Sequence, residues 1–99
     1  MINLTQQQLE IVKNILHEYV PDAEVRAFGS RVTNKVKAYS DLDLVVLPST
    51  KLDLKILYRL RDAFEESELP FRVDVLDWYR ITDSFKKIIN QHFHCITQH

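Results

Sequence analysis

The run Asp41-Leu42-Asp43-Leu44-Val45-Val46-Leu47, closed by Pro48, constrains this chain more than any other segment. Its first half alternates acidic and apolar residues, and its last four residues are apolar on both faces. A strand of that kind is stable where both faces of a sheet are covered, or nearly so. Its neighbours supply the cover. Thr5-Gln6-Gln7-Gln8 reads as a capping box, with Leu4 and Leu9 placed as a hydrophobic staple. Leu9, Val12, Leu16 and Tyr19, flanked by Ile11 and Ile15, form a helical stripe that Pro21 closes. Glu24–Phe28 is a short strand running into Gly29-Ser30, and Val32 and Val36 share a helical face over 31–38, with Ser30 placed to cap it. A helix is expected from Asp53 to Ser67 with Leu54, Leu57, Tyr58 and Phe64 on one face, stopped by Leu69-Pro70. Phe71–Trp78 is the third strand, and Thr82-Asp83 open a last helix with Phe85, Ile88 and Ile89 on its apolar side. The order α-β-α-β-α-β-α predicts an α/β (α+β) fold, a small mixed sheet packed by helices.

With 99 residues the chain makes one domain, 1–99. No apolar run approaches the ~20 residues of a membrane span, and the N-terminus lacks the basic and apolar regions of a signal peptide. Cys95 is the single cysteine, so no internal disulfide or zinc-type spacing exists. These features fit a reducing, cytoplasmic setting. The net charge of −1 argues against an extended nucleic-acid surface. Arg26, Arg31, Lys35 and Lys37 nevertheless form a local basic group of a size suited to a triphosphate.

Asp41 and Asp43 are two apart on a strand, so their side chains leave the same face. Taken alone, Asp-x-Asp reads as the solvent face of an edge strand with Leu42 and Leu44 turned inward. Three observations favour a site instead. The face bearing the two acids continues as Val45 and Leu47. Asp74 interrupts a second apolar strand between Val73 and Val75, where aspartate is disfavoured. Gly29 is the chain's only glycine, marking a position that needs a special conformation or a close approach. A cluster of desolvated acids calls for divalent cations, and oxygen-only ligands suit Mg²⁺ or Mn²⁺. A Gly-Ser turn opening a helix offers N–H groups to phosphate, and Arg31 adds a charge-assisted contact. Acids facing a phosphate cradle are the two halves of a phosphoryl- or nucleotidyl-transfer site.

This combination resembles the DNA polymerase β-like nucleotidyltransferase superfamily: Gly29-Ser30, ten intervening residues, Asp41-Leu42-Asp43, and a later strand aspartate, Asp74. Phe28-Gly29-Ser30-Arg31 and Tyr39-Ser40-Asp41-Leu42-Asp43-Leu44 are similar to its minimal nucleotidyltransferases, the MNT group. The likeness spans nearly the whole chain, including Leu69-Pro70 before the Asp74 strand and Asp77-Trp78 after it. It implies a polymerase β palm-like sheet with Gly-Ser at the end of the first strand. It implies two Mg²⁺ or Mn²⁺ ions held by Asp41 and Asp43, with Asp74 completing the site and helping to activate the attacking hydroxyl. Gly29, Ser30 and Arg31 would hold the phosphates of ATP or another NTP. Many MNT proteins are encoded beside a four-helix HEPN partner, an RNase-type toxin. The implied activity is therefore transfer of NMP, AMP from ATP, to a protein acceptor, by the antitoxin of a HEPN/MNT toxin-antitoxin pair. The alternative is a weak or inactive module of the same fold that neutralises the HEPN partner by binding. Larger relatives carry an additional acceptor- or base-binding domain, so the resemblance also implies a hetero-oligomer that completes the site.

Several residues are set aside. His92 and His94 lack ligands at metal spacing, and Cys95 reads as a small buried hydrophobe. Asp77 lies on the strand face opposite Asp74 and reads as a strand-end or turn residue, Trp78 and Tyr79 as core or rim. Glu65, Glu66 and Glu68 read as a solvated face.

Overall fold

The computed structural model describes residues 2–33 and 40–97. Helix α1 spans Gln6–Tyr19, strand β1 Glu24–Phe28, β2 Leu42–Leu47, helix α2 Leu54–Glu65, β3 Val73–Asp77, helix α3 Asp83–Gln91 and β4 His94–Thr97, with a 3₁₀ turn at Trp78–Arg80. The expected capping box forms in full: Thr5 Oγ1 accepts from Gln8 N at 3.1 Å, and Gln8 Oε1 accepts from Thr5 N at 3.0 Å. Asp53 and Thr82 cap the next two helices by accepting from Lys55 N and Phe85 N.

The four strands make one mixed sheet in the order β3-β2-β1-β4. β2 runs antiparallel to β1 and parallel to β3, and β4 adds to β1 antiparallel. β2 therefore lies inside the sheet, with Leu44, Val45 and Val46 buried. One face carries Leu42, Leu44, Val46, Val25, Ala27 and Val75, all buried against Val12 and Leu16 of α1 and Leu57, Leu60 and Phe64 of α2. The other face meets α3, whose Phe85 ring stands edge-on to Phe28 at 5.7 Å and whose Asn90 accepts from Arg26.

The structure departs from the sequence expectation in several places. β4 was not anticipated: it is four residues long with Ile96 as its one buried position, too short and too polar to signal itself. Its pairing with β1 makes it a strand, and it leaves Cys95 half-buried beside Glu24 rather than in the core. The buried faces of the later helices are also narrower than expected. In α2, Leu54 and Tyr58 are exposed while Leu60 takes an inward position, and in α3 Ile88 is exposed. Sequence spacing identifies an apolar stripe, but the sheet decides which edge of it is covered. The helix expected over 31–38 falls largely outside the described residues. Within them, 29–33 form a turn in which Gly29 O accepts from Val32 N and Thr33 N. Among the described residues, no helix is long and apolar enough to cross a membrane.

Candidate active site

The strand pairing gathers the acids at one end of the sheet. β1 ends at Phe28, opposite Asp43 near the start of β2, and Asp43 stands in register with Asp74 of β3. Residues directly opposite on neighbouring strands project from the same face, so Phe28, Asp43 and Asp74 form one row across three strands. Asp41 lies just ahead of β2, outside the ladder.

Gly29 follows Phe28 and touches this row. Its φ is +81°, in the left-handed region that side chains disfavour. A Cβ there would overlap Asp43 Oδ2 and sit 3.3 Å from Asp43 Cγ. The only glycine of the chain thus answers both demands at once, a special conformation and a close approach. The object approaching it is one of the acids.

Electrostatics mark the same spot. Burial, then the neighbouring charges of Asp74 and Asp41, push the Asp43 carboxyl up from 3.8 to about 6. Among the described residues no donor is paired with it. Asp74 is better compensated, its Oδ1 lying 3.2 Å from Nε of the exposed Arg72. As the side chains stand, no three acids among the described residues are close enough together to hold one ion. The donor set is nonetheless all carboxylate oxygen with repulsion concentrated on Asp43, which fits a hard divalent cation.

A cleft of about 950 Å³ opens beside the row, with Asp43, Asp74, Phe28, Phe85, Arg61 and Arg72 in its wall. Glu65 stands at this cleft and is exposed, in keeping with a solvated face. Arg72 and Arg61 escaped the sequence reading. Arg72 had a faint signal in its i, i+2 spacing to Asp74 on one strand face. Arg61 had none, since its two bonds to Val75 O, 3.1 and 2.7 Å, join elements that pair only in the fold.

Of the basic group expected to meet a triphosphate, the two described members, Arg26 and Arg31, are engaged elsewhere. Lys35 and Lys37 lie outside the described residues. Arg26 packs over Phe93 and Trp78 and pairs with Glu24. Arg31 is only 4% exposed: its Nε and Nη1 donate to Ser40 O and Asn3 O, and its guanidinium lies 3.9 Å from the Phe71 ring centre. It is turned into the protein rather than toward the turn it follows. A local cationic pattern cannot reveal that a distant aromatic and two carbonyls will claim the charge. Asp77 does act at a strand end, accepting from Leu52 N, Tyr79 N and Arg80 Nε while buried.

The sequence profile of the nucleotidyltransferase domain matches residues 9–96. This chain belongs to that family. The nucleotidyltransferase is 48% identical over 90 residues to "Probable protein adenylyltransferase MntA" of Haemophilus influenzae, covering 91% of this chain and 79% of that protein. Its fold matches a toxin-antitoxin crystal structure with AMP-PNP at a TM-score of 0.78, with 20% identity over 92% of this chain and 73% of the other. It also matches a chain of a tri-AMPylated Shewanella oneidensis HEPN toxin in complex with MNT antitoxin, at a TM-score of 0.66 and 18% identity, covering 97% and 74%. The nucleotidyltransferase therefore has the mixed sheet and flanking helices of that fold.

Proposed function

We propose that this nucleotidyltransferase moves AMP from ATP to a protein acceptor, a HEPN-type helical partner, as the antitoxin of a toxin-antitoxin pair. The observation that carries the transfer chemistry is the seating of the Asp43 carboxylate against Gly29 and beside Asp74. Among the described residues it leaves that acid without a paired donor, against a turn whose backbone suits phosphate. The acceptor class rests on the likeness to the Haemophilus influenzae protein.

In this reading Asp41, Asp43 and Asp74 hold two Mg²⁺ or Mn²⁺ ions, and Gly29 and Ser30 hold the β- and γ-phosphates. When bound, the ions supply charge neutralisation to the attacking and leaving oxygens. Asp74 orients the acceptor hydroxyl and helps to remove its proton. The hydroxyl oxygen bonds to the α-phosphorus, the α–β phosphoanhydride bond breaks, and pyrophosphate leaves with the electron pair. The cleft beside Asp43 and Asp74 admits the acceptor, and a hetero-oligomer with that partner in the cytoplasm completes the site.

Incubation with α-labelled ATP, Mg²⁺ and the partner encoded beside this chain tests the proposal. Label on the partner, lost in Asp41→Asn/Asp43→Asn, is the expected result. A tight complex with no label transferred would overturn it in favour of a binding module. Saturating Mn²⁺·ATP should also raise unfolding stability, by about 2.7 kcal/mol at a hundredfold excess over Kd.

A further inference from the structure

Arg31 is a charged side chain, 4% exposed, immediately after the Gly29-Ser30 turn. Enclosing a guanidinium costs several kcal/mol unless its hydrogen bonds and surroundings compensate. Here it joins three separated pieces of chain. Nε donates to Ser40 O at 3.0 Å, Nη1 donates to Asn3 O at 2.9 Å, and Asn3 N returns a bond to Arg31 O at 2.9 Å. The guanidinium plane is backed by Phe71, two residues ahead of the strand that carries Asp74.

The consequence falls on Asp41. β2 begins at Leu42, whose N donates to Arg72 O at 2.9 Å and fixes the chain on the strand side of Asp41. On the other side Ser40 is fastened by Arg31, and the charge of Asp41 acts on the Arg31 guanidinium. We infer that Arg31 is a positioning residue: by clamping Ser40 to the Gly29-Ser30 turn it sets the Asp41 carboxylate for metal binding. Lysine cannot substitute, because one ammonium cannot reach two carbonyls in a fixed fork while lying flat on a ring. This inference rests on the proposal that Asp41 holds a divalent ion.

The test is calorimetric titration of the full chain with Mn²⁺ alone, comparing wild type with Arg31→Lys. The lysine variant keeps the charge, so loss of placement alone should weaken Mn²⁺ binding about 10–100-fold, as for residues that orient metal ligands. An Arg31→Ala chain should regain Mn²⁺ affinity when ethylguanidinium is added but not when an alkylamine of similar size is added, a selectivity that a packing role would not produce. A folded Arg31→Lys chain with wild-type Mn²⁺ affinity overturns the inference. If Arg31→Lys does not fold, Phe71→Leu, which removes the flat platform but leaves every hydrogen-bond partner, must weaken Mn²⁺ binding severalfold. Unchanged affinity in that variant likewise overturns it. Failure of wild type itself to bind Mn²⁺ defeats the metal reading on which the inference stands; tight wild-type binding with an indifferent Arg31 defeats the inference alone.

Discussion

Gly29→Ala separates the two reasons that this position is glycine. The first is conformational: at a φ of +81° a Cβ is strained wherever its neighbours are, at a cost of about 1–2 kcal/mol. The second is steric. The new Cβ would overlap Asp43 Oδ2 and press on Cγ at 3.3 Å, while Asp43 Cβ, at 3.6 Å, is ordinary contact. Moving the carboxylate or parting β1 from β2 adds about 1–3 kcal/mol, as overpacking does. Gly29→Ala should therefore cost about 2–5 kcal/mol in wild type. In an Asp43→Ala background, where Oδ2 and Cγ are gone, only the conformational part should remain. Urea unfolding of the four proteins closes a double-mutant cycle, and the coupling should be about 1–3 kcal/mol. Thermal melts provide a check, since each kcal/mol shifts Tm by about 4–8 °C in a domain of this size. An equal cost of Gly29→Ala in both backgrounds would refute the steric half of the argument, and no cost in either would refute both halves.

Two further outcomes follow from the charges. The Asp43 carboxyl titrates at about 6 in the fold against 3.8 ordinarily, so its favourable contribution is complete below 3.8 and lost as pH rises through about 6. In EDTA, Asp43→Asn should match wild type near pH 4 but exceed it above pH 7. The ceiling is about 3 kcal/mol at 1.36 kcal/mol per pKa unit, and screening in the open cleft reduces it to about 1–2 kcal/mol; equal urea midpoints at both pH values would contradict this. Asp77→Asn exchanges an acceptor for a donor among Leu52 N, Tyr79 N and Arg80 Nε at a site 1% exposed. It should lower unfolding stability by about 2–3 kcal/mol, whereas Asp83→Asn, whose carboxylate is 96% exposed beside Lys86 in the first turn of α3, should move the urea midpoint far less.

What could be read locally in this chain was read by short-range physics. The α1 cap needs only Thr5 and Gln8 three residues apart, and both bonds form. The apolar stretch 44–47 called for cover on both faces, and Leu44, Val45 and Val46 are buried. The single glycine announced a backbone demand without saying what pressed on it. The relation among the acids was legible only as an expectation from strand period, since β2 begins at Leu42 and leaves Asp41 ahead of the ladder.

Tertiary structure decided everything that depends on which distant segments meet. The parallel register of β2 and β3 puts Asp74 beside Asp43; a slip of one residue would have sent it to the opposite face. Antiparallel pairing of β1 with β2 lays Gly29 against that carboxylate. Arg31, a plausible phosphate contact by position, is claimed by Phe71, Ser40 and Asn3. His94–Thr97 becomes a strand only because β1 offers an open edge. Sequence by itself determined the parts: caps, periods, a glycine and acids in strands. Their assembly into one charged row was settled by burial of the apolar faces, a long-range energy that chooses a register and carries the polar residues with it.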